Sequence, residues 1–255
     1  MNLYEAIFVR KSVRKYSMDK IDQNVIDHIM NFADSIPMLF DDIKIKLELV
    51  QLADLKHFQS GILTVKAPYY LVLYSTKESG YLINAGNIME QIVLYITARG
   101  LGTCYIANLN LKDKVVEEKE YEQVIAIAFG EGENEVYRQS DKAKRLPVKS
   151  IAVFKEEADK NIRAIVSAVR LAPSGMNGQP WRLVVYNNRI HLFSKKSGII
   201  KSIVKETRLI DMGICLAHLL IAAEEMWLEG KAVTLSNISS QNFKKNDYVI
   251  SVKLS

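Results

Sequence analysis

The stretch from Ala172 to Leu183 reads APSGMNGQPWRL and lies between a helical segment and a strand. Two prolines (Pro173, Pro180) and two glycines (Gly175, Gly178) close together make it a rigid loop, because proline fixes φ and glycine admits tight turns. It offers Ser174, Asn177 and Gln179 as donors and acceptors beside the aromatic Trp181. Such a loop suits a planar heteroaromatic ligand with polar edges. Read alone, it equally describes a turn whose asparagine caps its own backbone and whose tryptophan lies in the core.

Working outward, Lys160 to Leu171 reads as a helix with Ile162, Ile165, Val166 and Val169 on one face, ended by Pro173. Arg182 to Tyr186 and Ile190 to Ser194 read as strands around an Asn187-Asn188 turn. Leu209 to Trp227 is a long apolar helix, followed by Gly230 and strands at Ala232 to Leu235 and Tyr248 to Leu254. The same order precedes the loop. A short helix over 2–9 leads to an amphipathic helix from Asp22 to Ser35, ended by Pro37. Strands follow at Ile43 to Val50 and Ala67 to Ser75, then a long helix from Gly80 to Arg99 stopped by Gly100-Leu101-Gly102. Strands at Cys104 to Ala107 and Val124 to Phe129 complete the set. Pro37 aligns with Pro173 and Gly86 with Gly213. The expectation is an α+β fold of two halves, 1–150 and 151–255, related by a pseudo-twofold axis. Each half has a central antiparallel or mixed sheet and a long buried core helix, since a helix apolar nearly all round needs cover on every side. The polar, charged stretch 130–148, closed by Pro147, reads as a loop or linker.

Composition bounds the function. The 255 residues are 49% hydrophobic and 25% charged, as in an ordinary cored domain rather than a disordered chain. Cys104 and Cys215 have no CxxC spacing, and His28, His57, His191 and His218 form no HExxH, so neither a disulfide scaffold nor a metal centre is expected. The formal charge of +5 falls in short runs: Arg10 to Lys15, Lys142 to Lys149, Lys195-Lys196 and Lys244-Lys245. No nucleic-acid motif accompanies them, so they read as solvated surface with local phosphate contacts. The N-terminus lacks the form of a signal peptide, and the most apolar run, Leu209 to Ala223, falls short of the ~20 residues of a membrane span. A cytoplasmic protein with no membrane partner is expected.

A second segment, RKSVRK from Arg10 to Lys15, places Arg10, Ser12 and Arg14 where an extended or tightly turned chain can aim them at one anion. Arginine supplies a planar fork of donors and serine a short hydroxyl, although read alone RxSxR describes a phosphorylation site or a plain solvated run at least as well. With both segments in view, the sequence resembles the FMN-dependent nitroreductase superfamily. APSGMNGQPWRL is similar to its flavin loop and RKSVRKY to its first signature. APYYLVLYS, NAGNIMEQIVLYITARGLGTCYI and KRLPVKSI agree in order and spacing.

The resemblance implies FMN as cofactor and NADH or NADPH as transient electron donor. Arg10, Lys11 and Ser12 match the segment for the flavin phosphate and ribityl chain, and Arg14 a cation near the flavin N1/O2 edge that supports the reduced ring. Gly100, Leu101 and Gly102 match the turn near the isoalloxazine. Arg145 matches a basic residue completing the phosphate cradle. Pro173, Ser174, Met176, Asn177 and Gln179 belong to the loop that approaches the ring. No side chain is assigned as nucleophile or general acid, and Asp211 and His218 read as a pair satisfied within a buried helix. The family pattern is also broken in an informative way. The first half has IPMLFDD (Ile36 to Asp42) where the flavin loop should stand, and the second half has no RxSxR. This resembles the single-chain, internally duplicated branch, with one FMN per monomer. The implied activity is reduction of a nitroaromatic, quinone or similar small-molecule acceptor in a ping-pong cycle. The alternatives are a flavin-binding or storage protein, a dehalogenase-type flavoenzyme, or a basic interaction protein without flavin.

Overall fold

In the computed structural model, which describes all residues except 55–57, 61–64, 107–108, 112–119 and 197–201, Asn2 opens the chain as a capping box. Its side chain accepts from the Glu5 amide at 2.8 Å while Glu5 accepts from the Asn2 amide at 2.9 Å, satisfying two of the orphan donors of a helix start. Helix α1 (Leu3–Val9) ends where Arg10 turns extended. Asp22 caps α2 (Gln23–Ser35), whose buried face is Ile26, Ile29 and Ala33. The chain forms two compact units, Met1–Ser140 and Asp141–Ser255.

In the first unit, β1 (Ile45–Gln51), β2 (Phe58–Ser60) and β3 (Tyr69–Ser75) precede α3 (Tyr81–Ala98). Then come β4 (Gly102–Ile106), β5 (Leu109–Leu111) and β6 (Glu122–Gly130). The main sheet runs β1-β3-β6-β4, antiparallel throughout, and β2 pairs with β5 in a small separate ribbon. All of β3 is buried, which explains why its sequence is an apolar run rather than an alternation. One sheet face carries Val50, Tyr70, Val72, Tyr74, Ala126 and Ala128, and Val13 and Tyr16 pack against it. Helix α3 is buried over most of its length, including Asn84, Asn87 and Glu90, with α1 and α2 against it.

The second unit contains α4 (Val148–Ile151), β7 (Ala152–Phe154), α5 (Lys160–Arg170), β8 (Trp181–Tyr186) and β9 (Arg189–Lys195). Helix α6 (Ser202–Glu225), β10 (Gly230–Val233), α7 (Ser236–Ser239) and β11 (Asn246–Leu254) complete it. Its sheet runs β10-β11-β9-β8-β7, with β7 parallel to β8 and every other pair antiparallel. Apart from β7, the order β8-β9-β11-β10 repeats β1-β3-β6-β4. In both units the fourth main strand enters between the second and the third. Helix α6, buried from Asp211 to Leu219, packs on α5 as α3 packs on α2.

The residues 141–150, read from sequence as the end of the first half, pack with the second unit. The reason is local: Arg145 and Leu146 bond to the 171–179 region, and α4 touches α5 and β8. The polar stretch before them is not a free linker. Arg10 bridges Tyr137, Tyr16 bridges Gly132, and the Arg138 amide donates to Val9 O at 2.8 Å.

Candidate functional site

The first-unit segment is held extended by its backbone. Val13 N donates to Thr103 O at 2.9 Å, Ser12 forms a parallel bridge with Thr103, and Tyr16 Oη donates to Val13 O at 2.6 Å. This close seating depends on Gly102, because a Cβ there would stand 2.8 Å from Val13. Gly100 has φ +82°, the left-handed region glycine enters without a Cβ penalty. Leu101 is buried between them.

Along this segment the side chains differ in fate. Arg10 is 2% exposed and its Nη1 has no hydrogen-bond partner, while Lys11 and Ser12 are half-buried and Arg14 is exposed. A guanidinium donor buried without an acceptor costs free energy that an anion would recover. Thr103, a residue the sequence did not single out, also buries an Oγ1 without a partner. Burial pushes the Cys104 thiol up, and the charges of Arg14 and Arg10 pull it partly back. The positive field of both arginines therefore falls on the start of β4. Arg10, Ser12, Arg14 and the Gly100–Gly102 turn thus converge on one edge of the first unit.

In the second unit the loop 172–181 is strained and strongly tied. Met176, Asn177 and Gln179 have φ of 50°, 56° and 45°, a region that costs roughly 1–3 kcal/mol for each non-glycine residue and clusters at functional sites. The ties are polar. Arg145 donates from Nε to Ala172 O at 2.9 Å, from Nη2 to Leu171 O at 3.3 Å and from Nη1 to Asn177 Oδ1 at 2.8 Å. Asn177 Nδ2 donates to Lys144 O, Gln179 Oε1 accepts from Leu146 N at 2.7 Å, and Ser174 Oγ accepts from Gln179 N at 2.9 Å. The amides of Asn177 and Gln179 are thus engaged in shaping the loop. Pro173 and Gln179 are buried, Ser174 is half-buried, and Met176 stands fully exposed at the tip. Trp181 is fully buried and belongs to the core rather than to the loop's surface.

Asp211 on α6, read from sequence as one of a pair satisfied within its helix, instead anchors the loop. Its Oδ1 accepts from Gly175 N at 2.9 Å, and burial pushes its carboxyl up to about 7, with the Gly175 bond and Arg208 pulling the other way. His218, one of the expected partners within the helix, meets Ala168 O on α5 at 3.0 Å. Both residues are satisfied, but by backbone groups of other segments. The first unit repeats the anchor: Asn84 Oδ1 accepts from Leu39 N at 2.9 Å. Leu39 follows Pro37 as Gly175 follows Pro173, and Asn84 precedes Gly86 as Asp211 precedes Gly213. The alignment of prolines and glycines contained this signal, had the helix residues two before each glycine been compared.

The chain thus has two α+β units of one strand order, a tied loop after α5 and an arginine-rich segment between α1 and α2. The family described as "Putative TM nitroreductase" matches residues 2–223, and the chain belongs to it, which makes it a nitroreductase-like oxidoreductase. A solved structure of a putative nitroreductase from Thermotoga maritima is similar over 100% of this chain and 94% of its own, at 24% identity and TM-score 0.67. A nitroreductase family protein from Clostridium difficile 630 is similar over 62% of this chain and 100% of its own, at 16% identity and TM-score 0.50. A nitroreductase with bound FMN from Desulfitobacterium hafniense DCB-2 is similar over 58% of this chain and 100% of its own, at 15% identity and TM-score 0.46. Comparison with curated proteins returns no match. Among the described residues, no helix is long and apolar enough to cross a membrane and no group of side chains could hold a metal ion.

Proposed function

We propose that the protein is an FMN-dependent NAD(P)H oxidoreductase that reduces a nitroaromatic, quinone or similar conjugated acceptor, with one FMN per chain. The observation that carries this reading is the buried, partnerless Nη1 of Arg10 in a segment resembling the family's phosphate signature. When bound, FMN supplies the redox chemistry, taking hydride from the nicotinamide and passing reducing equivalents to the acceptor.

The chain's own residues do the rest. Arg10 and Ser12 would hold the phosphate and ribityl chain, with Lys11 beside them, and a charge-assisted contact to Arg10 would satisfy its open donor. Arg14 would place positive charge where the ring becomes anionic on reduction. The Gly100–Gly102 turn would present its backbone to the ring, with Gly100 supplying the left-handed turn and Gly102 seating Val13. In the second unit, Pro173, Ser174, Met176 and Asn177 would present the loop surface to the ring. Arg145 would act by keeping that surface in its strained shape, alongside any phosphate contact. No side chain is required as nucleophile or general acid.

The test is spectroscopic. The purified protein should carry a yellow chromophore that bleaches with NADH or NADPH under anaerobic conditions and reoxidises on adding a nitroaromatic. Replacing both arginines (Arg10→Ala with Arg14→Ala) should weaken FMN binding by at least about tenfold, the value of one lost charged hydrogen bond. Unchanged FMN affinity in that variant overturns the assignment of the binding segment. A flavin that no nicotinamide reduces overturns the oxidoreductase reading and leaves a flavin carrier.

A further inference from the structure

Lysines from three of the four basic runs seen in the sequence meet on the second unit, in a groove that none of the residues assigned to flavin lines. Lys149, Lys195-Lys196 and Lys244-Lys245 line one groove of about 710 Å³, a size typical of small-ligand sites. It lies over the outward face of the second sheet. Register places Arg182 opposite Phe193, Phe193 opposite Tyr248 and Val153 beside Val184, so these alternate residues share that face.

The groove has two characters. Its floor is apolar: Ile151, Val153 and Val184 join Phe193, whose ring meets Phe243 edge-on at 5.1 Å. Val153 remains 55% exposed, although it belongs to a strand. In the first unit the corresponding work of covering a sheet face falls to Val13 and Tyr16. The second half lacks the arginine-rich segment that carries them.

Its rim is cationic, and among the described residues no lining residue is acidic. Asp247, next along the chain, pairs with Lys196 at 3.4 Å, and Lys196 also donates to Asn242 Oδ1 and Phe243 O. That lysine fixes the 242–247 loop. Among the described residues, Lys149, Lys195, Lys244 and Lys245 have no side-chain hydrogen bond or carboxylate partner. Arg182 uses Nη1 on Gln179 O and Trp181 O, which orients its guanidinium and leaves Nε and Nη2 available. Unneutralised cations gathered in one concavity raise the local concentration of anions. A monocarboxylate would neutralise one of them. A phosphate chain brings several charges and many acceptor oxygens, and a planar ring matches the aromatic floor.

We propose that this groove is a second binding site, for a nucleoside diphosphate or a chemically equivalent phosphorylated aromatic. The phosphates lie against Lys195, Lys244 and Lys245, and the ring lies against Phe193 and Phe243. The proposal does not rest on flavin binding. Because Arg182 also holds Gln179 O, an occupant that engages its free nitrogens touches the same guanidinium that supports the 172–181 loop.

The test is calorimetric titration of the whole protein with ADP, with adenosine and inorganic phosphate as the separate halves. ADP should bind below about 1 mM, more tightly than either half, and its affinity should fall with added salt. The double reversal Lys244→Glu with Lys245→Glu, on exposed side chains, should weaken ADP by at least about tenfold and leave the circular dichroism spectrum and flavin content unchanged. The milder Lys195→Gln should weaken it in the same direction. No ADP binding, or equal binding in wild type and both variants, overturns the proposal. Phosphate binding as tightly as ADP overturns the aromatic half of it.

Discussion

Asp211 and Asn84 occupy matching places on α6 and α3 and accept from matching loop amides, yet one is ionisable and the other is not. At 5% exposure, the Asp211 carboxyl is pushed up to about 7 from an ordinary 3.8. The native state therefore holds an extra proton between those values, while the unfolded chain has released it. Stability falls as pH rises through that window, by on the order of 4 kcal/mol. Below about pH 4 both states are protonated and the effect vanishes. The first unit supplies its own control, since a neutral amide does the same work there. Asp211→Asn should keep the Gly175 bond, remove this pH dependence and make the protein more stable than wild type at about pH 8. Urea unfolding of both proteins at about pH 5 and about pH 8 measures it. A variant less stable than wild type at the higher pH would show that the ionised carboxylate is the better anchor.

At the scale of elements, what a sequence makes legible is periodicity and punctuation. The apolar face of α5 and the run in β3 were plain in the residues, and the ends of α2 and α3 lie where Pro37 and Gly100 stand. Three-residue β7 was not legible: its pairing with β8 is parallel and leaves no alternation to read within charged neighbours. The stitching of 131–138 to 9–17 was hidden for a related reason, because backbone bridges carry no side-chain signature. Neither did the sequence reveal that Asn177 and Gln179 turn their amides inward to residues 144–146, since that depends on partners far along the chain. One element is tested by a single glycine. Gly102, at the first residue of β4, permits Val13 to approach where a Cβ would stand at 2.8 Å. Gly102→Val should displace the 10–14 segment. It should cost about 1–3 kcal/mol as overpacking does, with a fall in FMN affinity exceeding that of an exposed control such as Lys15→Ala. Thermal unfolding and flavin titration read the two effects separately. Unaltered values in both would mean the segment is held from elsewhere.

For the whole molecule, the two units keep one architecture and divide the signatures. Strand order and the helix-to-loop anchor recur in both, and neither belongs to the flavin chemistry as such. The units differ in the added β7, in the β2–β5 ribbon and in the two segments proposed to hold flavin. The first unit has Arg10, Ser12 and Arg14 but IPMLFDD in place of the strained loop, whereas the second has that loop and no arginine segment before α5. A duplicated chain that retained two equivalent sites would carry each signature twice. This one carries each once, and the buried Arg10 donor has no counterpart in the second unit's sequence. The expected stoichiometry is therefore one FMN per chain. It is measured by flavin absorbance after denaturation against protein concentration from amino-acid analysis, with excess FMN present during refolding to avoid under-loading. A ratio near two would mean that the altered halves still bind flavin, and a ratio near one half would mean that two chains share a site. Either result overturns the division of labour inferred from the signatures, while leaving the shared fold of the two units untouched.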